Sequence, residues 1–208
     1  MAQGKEATTI QAQLNSEGLI FGRKTSLLTE EAAANLRKTW RLVKDSLEQI
    51  HQMQERDGIE IQSYSLEGRS EFSPNMKESM DFTKKCDVAG DLIYLNPFIF
   101  IPVRESPFKD NERTLPIEFH YRQSEMLNVI LTLPEGYSVE EIPKPIVMKL
   151  EGATARIVCN LNNGQLTMQY RLTLDKTFYP YTEYQDLKEF FDNLAERCKD
   201  IITIKKSE

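Results

Sequence analysis

The chain has 208 residues, 40% of them hydrophobic and 28% charged, with a formal net charge of −6. Such a balance describes an ordinary globular protein with room for one domain or two small ones. Its acidic sign, with only isolated basic pairs at Lys84-Lys85 and Lys205-Lys206, argues against nucleic acid or an anionic membrane surface as a partner.

No run of about 18 apolar residues is present, so no membrane-spanning helix is expected. The polar start, Met1 to Glu6, lacks the apolar stretch of a signal peptide, and on this reading the chain stays in the cytoplasm. Cys86, Cys159 and Cys198 are odd in number and widely spaced. They form neither a disulfide framework nor a metal knuckle, and each falls on an apolar face, so buried thiols are expected.

In chain order, Ile10, Ala12 and Leu14 alternate, Asn15 to Gly18 supplies turn chemistry, and Leu19 to Phe21 resumes. This spacing predicts a hairpin. A single long helix is predicted from Glu30 to Arg56, with Leu36, Trp40, Val43, Leu47 and Ile50 on one stripe. Thr29 is its N-cap candidate, Asp57-Gly58 its stop, and Trp40 reads as core. His51 flanks the stripe and should be solvated.

After Gly58 the period falls to 2. Ile59 and Ile61 open an extended segment, Met80, Phe82, Cys86 and Val88 share a face, and Leu92 to Leu95 is a short buried strand after Gly90-Asp91. From Asn96 to Pro116 four prolines rule out a long regular element. That stretch reads as a connector along the sheet edge, and as a seam between two lobes. Leu127, Val129, Leu131 and Leu133 then share a face, and Ile146 to Leu150 follows. Two alternating runs, Ala155 to Leu161 and Leu166 to Leu174, flank Asn163-Gly164, the strongest hairpin signal in the chain. Thr182 and Gln185 give a capping-box pattern for a last helix. Its apolar stripe is Tyr184, Leu187, Phe191, Leu194 and Cys198, and Ile201 to Ile204 closes the chain. The fold class that follows is α+β: an antiparallel β-sandwich-like sheet with a long N-terminal helix and a C-terminal helix. Residues 1–58 form a hairpin-plus-helix unit and residues 59–208 a β-rich unit.

Catalytic chemistry is sparse. Nucleophilic catalysis needs a base beside the nucleophile, and His51 and His120 are the only histidines. Cys86 with His120 is the one pair whose order suggests a Cys-His hydrolase, but Cys86 lies in an alternating strand without the helix N-terminus that lowers a thiol pKa. Neither a phosphate-binding glycine loop nor a metal-ligand spacing occurs, so no catalytic residue, metal or cofactor is assigned. The aromatic cluster Phe178-Tyr179-Pro180-Tyr181 with Tyr184 has two readings: a sugar- or peptide-binding groove, or a helix entry packed on a sheet.

Ser106-Pro107-Phe108-Lys109, Arg113-x-x-Pro116-Ile117-x-Phe119 and Leu133-Pro134-Glu135-Gly136-Tyr137 carry a resemblance, as do Glu141-Ile142-Pro143 and Tyr184-x-x-Leu187-Lys188-x-Phe190. Together they resemble the C-terminal domain of unknown function of bacterial transglutaminase-like proteins. That resemblance implies a β-rich tail behind a catalytic core, and an exported or periplasmic setting. The family's catalytic Cys, His and Asp match no position here, so the resemblance implies a non-catalytic accessory module. Its partner would be another protein or the missing catalytic domain, met through the connector (Phe98 and Phe108) and the N-terminal hairpin. A carbohydrate- or peptide-binding module using Tyr179, Tyr181 and Tyr184 is the alternative, and a weak Cys-His enzyme the third.

Overall fold

The computed structural model describes residues 2–70 and 73–206. The N-terminal hairpin forms and is longer than the apolar alternation suggests: β1 (Gln3–Leu14) and β2 (Leu19–Thr29) pair antiparallel over residues 5–14 and 20–29. Asn15 closes its turn by accepting the backbone N–H of Leu19 on its side-chain oxygen, at 2.8 Å.

The single long helix does not form. α1 (Glu30–Leu42) and α2 (Ser46–Asp57) are separated at Val43, whose backbone is extended. The cause is local: the Asp45 carboxylate accepts the N–H of Leu47 at 2.8 Å and caps a new helix. Asp45 and Glu48 give the capping-box spacing that a continuous apolar stripe hides. The stripe is therefore split. Trp40 is buried and stacks on Tyr64 at 5.5 Å, whereas Leu47 is 69% exposed. Thr29 makes no side-chain cap. Gly58 does end the helix, in the left-handed conformation with its N–H donated to the Gln54 carbonyl.

β3 (Glu60–Glu67), β4 (Asn75–Lys85), β5 (Asp87–Ala89) and β6 (Leu92–Leu95) follow. Between residues 96 and 116 no helix or strand forms, as the prolines dictate. β7 (Ile117–Glu118), β8 (Arg122–Thr132), β9 (Tyr137–Val139), β10 (Ile146–Leu150), β11 (Ala153–Asn162), β12 (Gln165–Leu174) and β13 (Phe178–Tyr179) lead to α3 (Tyr184–Cys198) and β14 (Ile202–Lys206). The β11–β12 turn has φ of 49° at Asn163 and 72° at Gly164, the left-handed pair expected of Asn-Gly. Thr182 does not cap α3, because residues 181–183 wind as a 3-10 turn that runs into the helix.

Eight strands form one sheet in the order β10-β11-β12-β8-β1-β2-β4-β3, and β5-β6-β14-β9 form a smaller one. The large sheet is not antiparallel throughout. β1 runs parallel to β8, from Gln3 beside Arg122 to Gln13 beside Thr132. This pairing crosses the boundary drawn at residue 58, since the hairpin lies between β8 and β4 in a single sheet.

One face of the large sheet carries the main core: Ile10, Phe82, Val129, Leu131, Met168 and Tyr170 are all buried in it. The connector, α3 and the smaller sheet pack onto that core through Phe98, Phe108, Leu187, Phe191 and Ile204. α1 contacts the same three strands, β1, β2 and β4, and closes a second, separate cluster of Leu28, Ala33 and Met76.

Close approach of β2 to β1 explains Gly22. A Cβ there would lie 2.4 Å from the Gln11 carbonyl oxygen and 2.6 Å from the Ala12 Cβ. Gly22→Ala is expected to lower the unfolding free energy in urea by about 1–3 kcal/mol, the usual range for overpacking. Gly164→Ala, in an open turn, should cost less than that because only backbone strain is added.

Candidate functional site

The two cores are separated by a row of polar side chains on the inner face of the large sheet. Strand alternation builds it: Glu6 and Thr8 continue the inward series of Ile10, Ala12 and Leu14 on β1. Gln123 and Glu125 likewise continue the inward series of Leu127 and Val129 on β8. Register then sets Thr8 beside Ser26, Ser26 beside Glu78, and Glu6 beside Glu125.

Most of this belt is internally satisfied. The Thr8 and Ser26 hydroxyls share a hydrogen bond of 2.7 Å, and Thr8 donates to Glu6 at 3.2 Å. Glu78, buried, accepts from the Tyr64 hydroxyl at 2.7 Å and from Lys24 Nζ at 3.3 Å. Burial and the adjacent Glu78 carboxylate together push the Tyr64 phenol up, which keeps it a neutral donor.

At its β8 end the belt opens into a cleft of about 650 Å³. Phe100 to Glu105 of the connector line one side, the ends of Arg56 and Asp57 another, and Glu6, Thr8, Glu125, Leu127, Tyr170 and Leu172 belong to the sheet. The connector is held there by a charged node. The buried Asp57 carboxylate takes Arg56 at 2.8 Å and also pairs with Arg104. Lys84 Nζ donates to the carbonyls of Asp57 at 3.0 Å and Ile99 at 2.6 Å. Ile99 itself is buried with φ of 65°, a conformation costly for a β-branched residue, which the surrounding contacts hold in place.

Two groups in the cleft lack compensation. Glu125 is joined by no hydrogen bond or ion pair among the described residues, and burial, then the charge of Glu6, pushes its carboxyl up to about 7. The Tyr170 hydroxyl is buried without a partner among the described residues. Burial, followed by the charges of Glu125, Cys198 and Glu6, pushes it well above the ordinary phenol value.

The sequence-predicted surface residues fall elsewhere. Phe98 is 1% exposed and stands edge-on to Tyr170; Phe108 is buried between Tyr184 and Phe191. Both are core rather than contact surface, because the connector folds back over the sheet. Tyr179 and Tyr184 are likewise buried, Tyr184 donating to the Asp110 carbonyl at 2.7 Å, and only Tyr181 is exposed. They form no aromatic groove. Cys86 is buried, and desolvation pushes its thiol up to about 11; Cys159 and Cys198 are pushed up to about 11 and about 12 by the same cause. His51 and His120 are exposed and do not line the cleft. Among the described residues no group of three or more His, Cys, Asp or Glu is arranged to hold a metal, and no helix is long and apolar enough to cross a membrane.

A family model described as "Domain of Unknown Function with solved-structure structure (DUF3858)" matches residues 91–204, which include Arg104, Glu125 and Tyr170. No curated protein matches. Among solved structures, a crystal structure described as "a putative protease" from Parabacteroides distasonis ATCC 8503 is 12% identical with a TM-score of 0.42. The likeness covers 47% of this chain and 19% of that one, so the present chain matches about a fifth of that protein's length.

Glu125 yields a pH prediction. Its carboxyl binds a proton more tightly folded than at the ordinary value of 4.5, so stability is greatest below that value and falls as pH rises through about 7. The loss amounts to about 3 kcal/mol at most, at 1.36 kcal/mol per unit. Glu125→Gln should raise the Tm at pH 8, leave it near wild type at pH 5, and flatten the curve between them.

Proposed function

The chain belongs to the DUF3858 family, a domain of unknown function, and from that premise we propose that it is a non-catalytic binding module, accessory to a partner protein or catalytic domain. The observation that carries this reading is the cleft between the connector and the large sheet: concave, partly apolar, with convergent polar groups and without a thiol or imidazole on its wall. Raised thiol pKa values agree with it, since a neutral, desolvated thiol is a poor nucleophile. A place behind a transglutaminase-like core is part of the same proposal and rests on the motifs named above.

A polypeptide segment suits the cleft better than a glycan. Glycan recognition relies on exposed aromatic rings, and of Tyr179, Tyr181 and Tyr184 only Tyr181 is exposed. Mixed walls, with Leu127, Leu172 and Phe100 beside charged Glu125 and Arg104, offer a side chain both an apolar path and a polar end point.

A random heptapeptide pool titrated into ¹⁵N-labelled protein should move amide resonances of residues 100–105, 123–127 and 170–172 and leave those of β10 unchanged. Mass spectrometry of the recovered pool should return it unaltered. Cleaved or cross-linked peptides would overturn the non-catalytic reading, and shifts confined to other surfaces would overturn the cleft.

A further inference from the structure

The uncompensated groups of the cleft define what would complete it. Glu6 and Glu125 are register partners on adjacent parallel strands, which spaces their backbones by about 4.8 Å. Both line the cleft, so two carboxylates stand side by side at its floor. The nearby cations are committed elsewhere: Lys24 to Glu78, and Arg56 and Arg104 to Asp57. Tyr170, on the other neighbour of β8, is 2% exposed, lines the same cleft, and has a hydroxyl with no partner among the described residues that senses the charge of both Glu125 and Glu6.

This set of acceptors has a natural complement. Two carboxylates and a phenol oxygen offer three acceptors to one small donor, and a primary ammonium carries one positive charge and three N–H groups. A metal ion fits less well, since no third His, Cys, Asp or Glu joins the pair among the described residues. Leu127, Leu172, Phe100 and Val103 provide apolar wall for an alkyl stem.

We propose that the cleft receives a lysine side chain from a partner polypeptide, its ammonium seated between Glu6, Glu125 and the Tyr170 hydroxyl. This rests on the binding-module reading and adds the recognised group. The docked ammonium supplies the charge that neither carboxylate finds within the chain, and the donor that the phenol lacks.

The probe is N-acetyl-lysine methylamide, titrated by NMR at pH 8 into wild type, Glu125→Gln and Tyr170→Phe. Its norleucine counterpart, n-butylamine and N-acetyl-glutamate methylamide are run in parallel. Lysine amide is expected to bind at residues 123–127 and 170–172, at least 10-fold tighter than norleucine amide, with each variant weakening it by about 10-fold. Neither variant removes a partnered group, so both should melt no lower than wild type at pH 8, and weaker binding then cannot be assigned to unfolding. Equal binding of norleucine amide, or stronger binding of glutamate amide, overturns the ammonium inference while leaving the binding module standing. So does lysine binding undiminished in both variants. n-Butylamine binding as tightly as lysine amide would make a free amine the ligand and overturn the partner lysine. If no probe binds while the peptide pool still perturbs the cleft, the inference alone falls; if neither binds, both readings fall.

Discussion

The parallel register of β1 against β8 is the constraint on which the rest of the molecule depends. β1 is the hinge of the large sheet: on one side it carries β2, β4 and β3, and on the other β8, β12, β11 and β10. A slip of one residue would reverse every side chain of the strand, sending Ile10 and Ala12 to the outer face and Thr9 and Gln11 into the core. The apolar half of β1 therefore fixes where its polar half lies. With Ile10 beside Val129, Glu6 stands beside Glu125. The carboxylate pair is a consequence of the same register that fills the core.

That placement divides the inner face into a large core and a small one, with the polar belt between them. Away from Glu125 the belt's members bond one another: Thr8 with Ser26, Tyr64 and Lys24 with Glu78. Such a network holds because every member finds a partner in a low-dielectric setting. Where the belt opens, the Asp57 node ties the end of α2 to the connector and to Lys84 of β4. This node anchors the connector where Ile99 and Phe100 enter the core and residues 100–105 line the cleft.

Much of this was legible in the sequence, and what was not has identifiable causes. Period-2 alternation gives β4, β8, β11 and β12, and Asn163-Gly164 gives their tightest turn. The apolar stripe of α3 is read correctly down to Cys198. The break between α1 and α2 is hidden because spacing alone continues through it, although Asp45 and Glu48 carry the capping signal. Parallel pairing of β1 is a long-range contact with no local signature. Phe98 and Phe108 read as a surface because prolines mark irregular chain, and irregular chain is most often exposed. The site residues were missed for a related reason: reading the face of β8 from Leu127 onward stops one step short of Glu125. Carried two and four residues further back, the same phase puts Glu125 and Gln123 inward, where a carboxylate at a core position signals function rather than error.

Glu125 and Tyr170 share a property: neither side chain finds a hydrogen-bond partner among the described residues. One carries a charge beside a like charge without a partner, and the other buries a hydroxyl without one. Each is a cost to the isolated chain that Gln or Phe would reduce. Tyr64 and Tyr184 find partners in Glu78 and the Asp110 carbonyl, whereas the Tyr179 hydroxyl and Arg122 Nε are also buried without one. What sets Glu125 and Tyr170 apart is that they stand on neighbouring strands and line one cleft. They make sense together as half of an interaction whose other half is a donor brought by a partner.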